Sequence, residues 1–521
     1  MEQPKSSHSP QFVYLAVALN GVAMAVFFVA LALSRNGDGD EGLYLEAARL
    51  VGQGKRLYTD FFYQQMPLIP YFYAGWTKLF GFSLFSGRVL SGLLTAAAAT
   101  FALFYIARST KNLFLVNASA ILLYTNGIFL AWAPVIKTHP FNVFFLTVSC
   151  LMLLEWRREA CAKFWPLLVA GLLLGLGVNC RLTLAPFPLF YLVFIAVAAP
   201  AKIWRNCGLF ALGLLIASLP SLYYLSVAPQ LFLKYNLIFH TRIFPGIAGE
   251  DFRWSIAAQV FFEPQLLALL VAFYAGLILQ SLKGWKSLAY SDTFFIFILL
   301  AAYYAIHLST ATPFTQYFST VVPLLVVGSI PLLEFPLRWN TALRVLVLTP
   351  LFVLYAAGAS KTLWHEMHSV GTLEPVWRIS NIQAASGAIR RLVKPGEACL
   401  TWWPGYAALG GCDSVPGMEN HMRDHAILRG IGPKLLNDYK MLSGEQVIEL
   451  LASQKYRVVI DGAYRLNTPY NEYAEYLLQE NYRLRTKRGM AKIYTRKGPG
   501  DHLGEEYAEK MDASLALVKP D

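Results

Sequence analysis

Charge is scarce in this 521-residue chain: 15% of its residues are charged, 56% are hydrophobic, and the mean hydropathy is +0.44. Soluble domains carry about 25% charged residues, so a soluble globular fold is excluded for most of the length. Cysteine is scarce too. The six residues Cys150, Cys161, Cys180, Cys207, Cys399 and Cys412 form no CxxC pair and no Cys/His cluster at zinc spacing, which removes zinc ribbons and thioredoxin-like redox centres. The first four fall in or near apolar runs, as small hydrophobes do. Cys399 and Cys412 lie in a polar tail, where compartment decides whether they pair. No internal repeat is present. The first ten residues hold one cation, Lys5, and no small-residue cleavage site follows the first apolar run. That run is therefore expected to be a retained span and not a cleaved signal.

What is present is apolar length. Eleven runs propose spans at roughly 12–33, 85–107, 113–133, 140–156, 164–180, 182–200, 207–227, 256–282, 293–308, 317–335 and 342–361. The net charge of +12 needs no nucleic acid partner, because its distribution follows a membrane rule. With the first loop outside, alternate loops hold Arg108 and Lys111; Arg157, Arg158 and Lys163; Lys202 and Arg205; Lys283 and Lys286; Arg338 and Arg344. The short loops on the other side hold only Lys137 and Arg181. Basic loops stay in the cytoplasm, so the N-terminus is expected inside and everything after Lys361 outside.

Two outer segments are long. In the first, Ser34 to Leu84, the positions Tyr44, Ala47, Ala48 and Val51 share one helical face, so Glu41 to Val51 is expected as a short amphipathic helix ended by Gly52 and Gly54. A second helix is expected after Pro67, with Tyr71, Phe72 and Trp76 at the interface. The other, Ala228 to Trp254, has Lys234, His240, Arg242 and Arg253 among aromatics. From Thr362 the composition becomes polar. Ala398–Trp403, Arg457–Ile460 and Ala491–Thr495 read as strands, with helices over Ile379–Val393 and Glu445–Ser453, which suggests a small α/β domain. The end, after about Gly498, is expected to be disordered. The organisation is a transmembrane domain over 1–361 and an α/β domain over 362–521.

The chemistry-bearing stretch is Asp38-Gly39-Asp40-Glu41-Gly42-Leu43-Tyr44, directly after the first span. Three carboxylates in four residues at a membrane face suit a general base for a hydroxyl, set against a donor whose lipid tail stays in the bilayer. The plainer reading is helix capping: Asp38 with Glu41 resembles a capping box. Asp-x-Asp also raises a divalent cation bridging to phosphate. Cations share that side. Arg181, in Val178-Asn179-Cys180-Arg181-Leu182-Thr183, sits where an ionisable group is costly, and Arg suits bidentate phosphate contact; snorkelling is the alternative. Lys137, His139 and Arg88 are further candidates, while His240 and Arg242 read more simply as solvated charge. Asp40, Arg88, Lys137, Arg181, Arg242 and the Thr315-Gln316-Tyr317 turn all fall on one side by the charge rule. Elsewhere, His421/His425 and His365/His368 lack the partners of a zinc site. The sequon Asn117-Ala118-Ser119 lies inside a span. Trp402-Trp403-Pro404-Gly405-Tyr406 reads as a strand end and turn more readily than as a sugar-stacking platform.

Three segments carry a family resemblance. Asp40-Glu41-Gly42-Leu43-Tyr44-Leu45, with Gly54, Tyr58-Thr59-Asp60 and Met66-Pro67-Leu68-Ile69-Pro70-Tyr71, resembles the first outer loop of bacterial polyprenyl-phosphate-sugar glycosyltransferases of the GT-C class (glycosyltransferase families 39 and 83). These are relatives of protein O-mannosyltransferases and of the lipid A aminoarabinose transferase. Gly171-Leu172-Leu173-Leu174-Gly175-Leu176-Gly177, leading to Arg181 and Thr183, resembles the segment ending in a donor-phosphate cation. Pro313-Phe314-Thr315-Gln316-Tyr317-Phe318, with Pro323, resembles the late outer loop. Met66-Pro67 departs from the Pro-Pro common there.

The resemblance covers about the first 360 residues. It implies a GT-C-like polytopic α-helical membrane protein of about 11 spans with interfacial helices, plus the α/β tail. Asp40 would be the catalytic base, flanked by Glu41 and Asp38. Arg181, Lys137, Gln316 and Tyr317, with Arg88, His139 and Arg242, would face the donor phosphate. The donor would be a polyprenyl-phosphate sugar, with no cofactor implied and the metal question open. The acceptor would be a glycolipid such as lipopolysaccharide, an envelope glycan or a protein, at the outer face of a bacterial cytoplasmic membrane. The rival class is a transporter or flippase of an anionic lipid-linked sugar, disfavoured by the absence of paired Gly/Pro-broken spans.

Overall fold

The computed structural model describes residues 10–243, 250–310, 312–335, 345–359, 377–420, 432–464, 466 and 470–498. The 361/362 boundary, Arg338, Arg344, His365, His368, His421, His425 and the end after Gly498 lie outside the described residues. The chain divides into two compact units, Met1–Ile379 and Ser380–Asp521.

The first unit is helical. It opens with α1 (Pro10–Ser34), α2 (Gly39–Gly52), α3 (Leu68–Phe80) and α4 (Leu84–Thr110). Helix α2 starts where the sequence places a cap: Asp38 is its N-cap, and Glu41 reaches back to the cap backbone to complete a capping box. It differs from expectation in burial. Glu41 to Ala48 and Leu50 are all buried, charges included. The acidic groups enter the core because they are paired, Glu46 with Arg49 at 2.7 Å and Glu41 with Arg88 at 2.6 Å. Paired burial removes the usual bar to carboxylates inside.

Next come α5 (Leu113–Thr125), α6 (Gly127–Trp132), α7 (His139–Arg158), α8 (Trp165–Cys180), α9 (Phe187–Ala198) and α10 (Ile203–Val227). The expected single run 113–133 breaks at Asn126, whose side chain accepts from Phe129 N–H and caps α6. Helices α8 and α10 touch backbone to backbone. A Cβ on Gly171 would stand 2.0 Å from the Phe210 carbonyl, and one on Gly213 2.2 Å from that of Leu168. Only glycine permits this approach.

After α11 (Pro229–Leu233) the chain continues in a π-helical run, Lys234–Ile243. The run 256–282 is divided into α12 (Glu250–Phe262) and α13 (Pro264–Ser281), because Pro264 cannot continue a helix and Glu263 caps the second. The unit closes with α14 (Trp285–Ala289), α15 (Asp292–Ser309), a 3₁₀ turn Thr315–Val321, α16 (Val322–Glu334) and α17 (Val345–Ala359). Among the described residues seven helices are long and apolar enough to cross a membrane, and four more are shorter and apolar.

The second unit holds a five-stranded sheet of order β2-β1-β3-β5-β4. Strands β1 (Ala398–Thr401), β2 (Asp413–Ser414) and β3 (Val458–Asp461) run parallel; β4 (Tyr482–Arg488) and β5 (Ala491–Arg496) add antiparallel pairs. Helices α18 (Ile379–Leu392), α19 (Pro404–Gly410), α20 (Pro433–Asp438), α21 (Gly444–Ala452) and α22 (Tyr470–Asn481) complete it. Trp402 and Trp403 are buried, and Trp402 Nε1 donates to Asp461 Oδ1 at 3.0 Å. Cys399 and Cys412 are buried free thiols.

Candidate active site

The polar groups of the first unit gather where α2, the 132–139 turn, the end of α8 and the Thr315–Val321 turn meet. The foundation is Arg88, fully buried on α4. Its Nε and Nη2 grip Glu41 at 2.8 and 2.6 Å. Nη1 donates to the carbonyls of Ala32 and Arg35, and Nη2 also to that of Asn36. All five guanidinium N–H donors are thereby used, and the last carbonyls of α1 gain the cation that a helix C-terminus favours. Glu41 also accepts from Ile136 N–H at 3.1 Å and from Asp38 N–H at 2.8 Å. Burial pushes the Glu41 carboxyl up, but the Arg88 guanidinium more than offsets this and holds it below the usual carboxylate range. One ion pair thus fixes the end of α1, the start of α2 and the turn before α7.

On that foundation stands the part nearer the surface. Lys137, 4% exposed, reaches Asp38 Oδ1 at 2.8 Å and Asp40 Oδ2 at 2.9 Å. It also donates to Gln316 Oε1 at 3.0 Å and lies 4.9 Å over the Trp132 ring. Burial alone would push this ammonium down; the Asp38 and Asp40 charges outweigh it and hold it above the usual lysine value. Asp38, pushed up chiefly by burial, also caps α2. Asp40 is the more open of the two carboxylates, at 33% side-chain exposure against 19%. Lys137 stands between them where a bridging metal would stand, and among the described residues no group of three His, Cys, Asp or Glu is placed to hold a metal. The donor set does not fit a divalent cation.

Arg181 closes α8 in extended conformation. Its guanidinium lies 4.0 Å over the Tyr317 ring and donates to Thr138 Oγ1 at 3.2 Å. His139 is buried at the start of α7, its ring 6.0 Å from that of Tyr317. Asp38, Asp40, Lys137, Gln316, Tyr317, Arg181 and His139 are therefore brought together. Arg88 and Glu41 lie beneath them, turned to one another. Arg242 is on the π-helical run, its side chain outside the described residues; its neighbour His240 donates from Nε2 to Gln64 O at 2.6 Å.

Residues 64–224 match the protein family described as dolichyl-phosphate-mannose-protein mannosyltransferase. No curated protein matches the chain in sequence. Among solved structures it is similar to ArnT from Cupriavidus metallidurans bound to undecaprenyl phosphate, at 12% identity over 94% of this chain and 100% of that one, with a TM-score of 0.66. The apo state of ArnT gives 13%, 94%, 99% and 0.65. The chain has the GT-C glycosyltransferase fold. It is an integral membrane protein. The Archaeoglobus fulgidus oligosaccharyltransferase tethered to an acceptor peptide matches at 11% identity, 92% of this chain, 75% of that one and a TM-score of 0.50.

The matched segment contains Lys137, His139 and Arg181; the remaining members of this cluster, Asp38, Asp40, Gln316 and Tyr317, come from either side of it. Sequence reasoning missed Thr138 and Trp132, and also two residues of α15: Tyr303, whose hydroxyl donates to the Tyr317 carbonyl at 2.8 Å, and His307, whose Nε2 lies 3.1 Å from Thr183 Oγ1. A signal existed for His307, since an ionisable residue inside an apolar span is a functional candidate. Nothing local marked the others.

Proposed function

We propose that this chain is a glycosyltransferase that moves a sugar from a polyprenyl-phosphate donor to an acceptor hydroxyl, with inversion, at the outer face of a bacterial cytoplasmic membrane. One observation carries the reading. The half-buried carboxylate of Asp40 stands beside Lys137, and Arg181 adjoins through Thr138 and Tyr317 while holding no carboxylate among the described residues. A base and a cation reserved for something else share one end of a membrane bundle. The undecaprenyl phosphate bound by ArnT supports the lipid class of the donor.

In this scheme Asp40 takes the proton of the acceptor hydroxyl. The oxygen attacks the anomeric carbon as the bond to the phosphate oxygen breaks, and the electron pair leaves on the lipid phosphate. Arg181, Lys137, Gln316 and the Tyr317 hydroxyl receive that growing charge, the kind of electrostatic assistance that dominates much catalysis. Lys137 has two duties: its ion pair with Asp40, at 2.9 Å, also holds that carboxylate in place. Glu41 and Arg88 hold the loop that presents Asp40. The acceptor is a glycolipid, an envelope glycan or a protein.

The test is transfer of label from a panel of radiolabelled polyprenyl-phosphate sugars to an envelope lipid or protein extract by the purified full chain. Label should appear in a new covalent species, and disappear with Asp40→Asn. Transport of an unaltered lipid-linked sugar, with no new species for any donor, would overturn the proposal in favour of a flippase.

A further inference from the structure

One buried titratable group in the membrane bundle has no part in the scheme above. His307, 0% exposed on α15, makes two hydrogen bonds. Nδ1 lies 2.9 Å from the carbonyl of Tyr303, one helical turn back, and Nε2 lies 3.1 Å from Thr183 Oγ1. A carbonyl has no proton, so Nδ1 carries the hydrogen. A bare Nε2 then accepts from the Thr183 hydroxyl, and the neutral ring is satisfied on both sides.

The two partners are informative. Thr183 lies two residues after Arg181, in the three-residue 3₁₀ turn Leu182–Leu184 for which Arg181 is the N-cap. The Leu184 N–H closes that turn on the Arg181 carbonyl at 3.2 Å. Holding Thr183 therefore holds the backbone from which Arg181 projects. Tyr303, whose ring stacks on that of His307 at 3.9 Å, donates its hydroxyl to the carbonyl of Tyr317 at 2.8 Å. One turn of α15 thus grips two segments distant in sequence: His307 the segment of Arg181, Tyr303 the segment of Tyr317. The guanidinium and the phenol ring that stack at 4.0 Å are both hung from it.

We infer that His307, through Thr183, is a positioning residue that sets Arg181 against Tyr317 for the donor phosphate. This rests on the proposed role of those two residues. Electrostatic groups act on a leaving phosphate only when held in place beforehand, and displacement of about 1 Å can cost a hundredfold.

The experiment measures binding of undecaprenyl phosphate to the purified full chain, with the apo thermal midpoint recorded in parallel. Thr183→Val removes the O–H donor and keeps the shape. It should weaken binding about tenfold with little change in midpoint, and add almost nothing to Arg181→Ala, since coupled residues are not additive. His307→Leu should behave alike. His307→Gln, which keeps an acceptor toward Thr183, should recover most of the affinity, and it decides the matter should Thr183→Val not fold. Lowered midpoints with unchanged affinity, or losses additive with Arg181→Ala, would reduce His307 to a core residue and overturn the inference alone. If the unaltered chain binds no polyprenyl phosphate, the functional reading falls and the inference with it.

Discussion

Helix α4 carries charge at both ends, and the two ends use it differently. At the far end lie Tyr105 and Arg108 of α4, with Glu155, Arg157 and Arg158 of α7. Arg157, Arg158 and the Tyr105 hydroxyl converge on Asp292. Arg108 meets Glu155 at 3.4 Å and Glu159 at 3.3 Å, and Lys163 meets Glu159 at 3.1 Å. Every one of these cations has its acid, and the cluster closes upon itself. At the near end, about 30 Å along α4 at 1.5 Å per residue, Arg88 and Glu41 form an equally closed pair. Above them, however, Arg181 rests on a hydroxyl and a ring. Charge density therefore does not by itself identify a site in a membrane protein. What distinguishes the near end is a cation whose partners, among the described residues, are all neutral.

Substitutions at the two ends should have unequal effects. The largest effect is expected at Asp40: Asp40→Asn should lower turnover by about 10³-fold, within the range for loss of a general base, while polyprenyl phosphate still binds. An Asn variant with near-normal transfer would remove the base from the scheme. Arg181→Ala should cost about 10²-fold in kcat/KM, whereas Arg157→Ala should leave the rate within about threefold, acting only on cohesion of the helix ends. Equal losses would erase the contrast between the two ends.

Stability effects rank next. Glu41→Gln leaves Arg88 a buried, uncompensated charge, so the fold should lose about 3–5 kcal/mol, measured as a lowered thermal midpoint. The pH dependence has a defined sign. The Glu41 carboxyl is held below its usual range when folded, so its stabilisation is complete above the unfolded value of about 4.3 and fades as pH falls through the folded value. That acid-side loss should vanish in Glu41→Gln. At the other end Asp292→Asn should cost only about 1 kcal/mol, because its partners are partly exposed. The smallest effect is that of a chelator. With Lys137 lodged between Asp38 and Asp40, transfer should be unchanged within twofold; a strict metal requirement would mean that Lys137 leaves that position during turnover.

Much of this was legible from the chain itself, where the signal is local. The capping box of Asp38 and Glu41 spans four residues, and α2 begins where it indicates. The polar groups at Lys137, Arg181 and Gln316-Tyr317 were gathered by a charge rule that needs only loop parity. Illegible were the pairings across sequence. Glu41 and Arg88 lie 47 residues apart, His307 and Thr183 124 apart, and no periodicity couples such positions. Burial of α2 was missed because its charges read as a solvent face until their partners were known. Strand β4 was missed because five of its seven residues are exposed, so it lacks the apolar alternation that marks a strand. The 113–133 and 256–282 runs read as continuous because hydropathy averages over the Asn126 cap and the Pro264 break.

The five-donor grip of Arg88 also bears on how this protein can change over generations. Lysine, the nearest replacement in charge, has three donors against five acceptors fixed in place by α1, the following turn and Glu41. A single exchange at position 88 would strand backbone carbonyls in the bilayer's shadow, and a single exchange at position 41 would strand the guanidinium. Neither step is a stopping place. Any lineage that abandons this pair must alter both residues together and redraw the end of its first helix at the same time, so the pair should persist even where the surrounding spans have diverged beyond alignment.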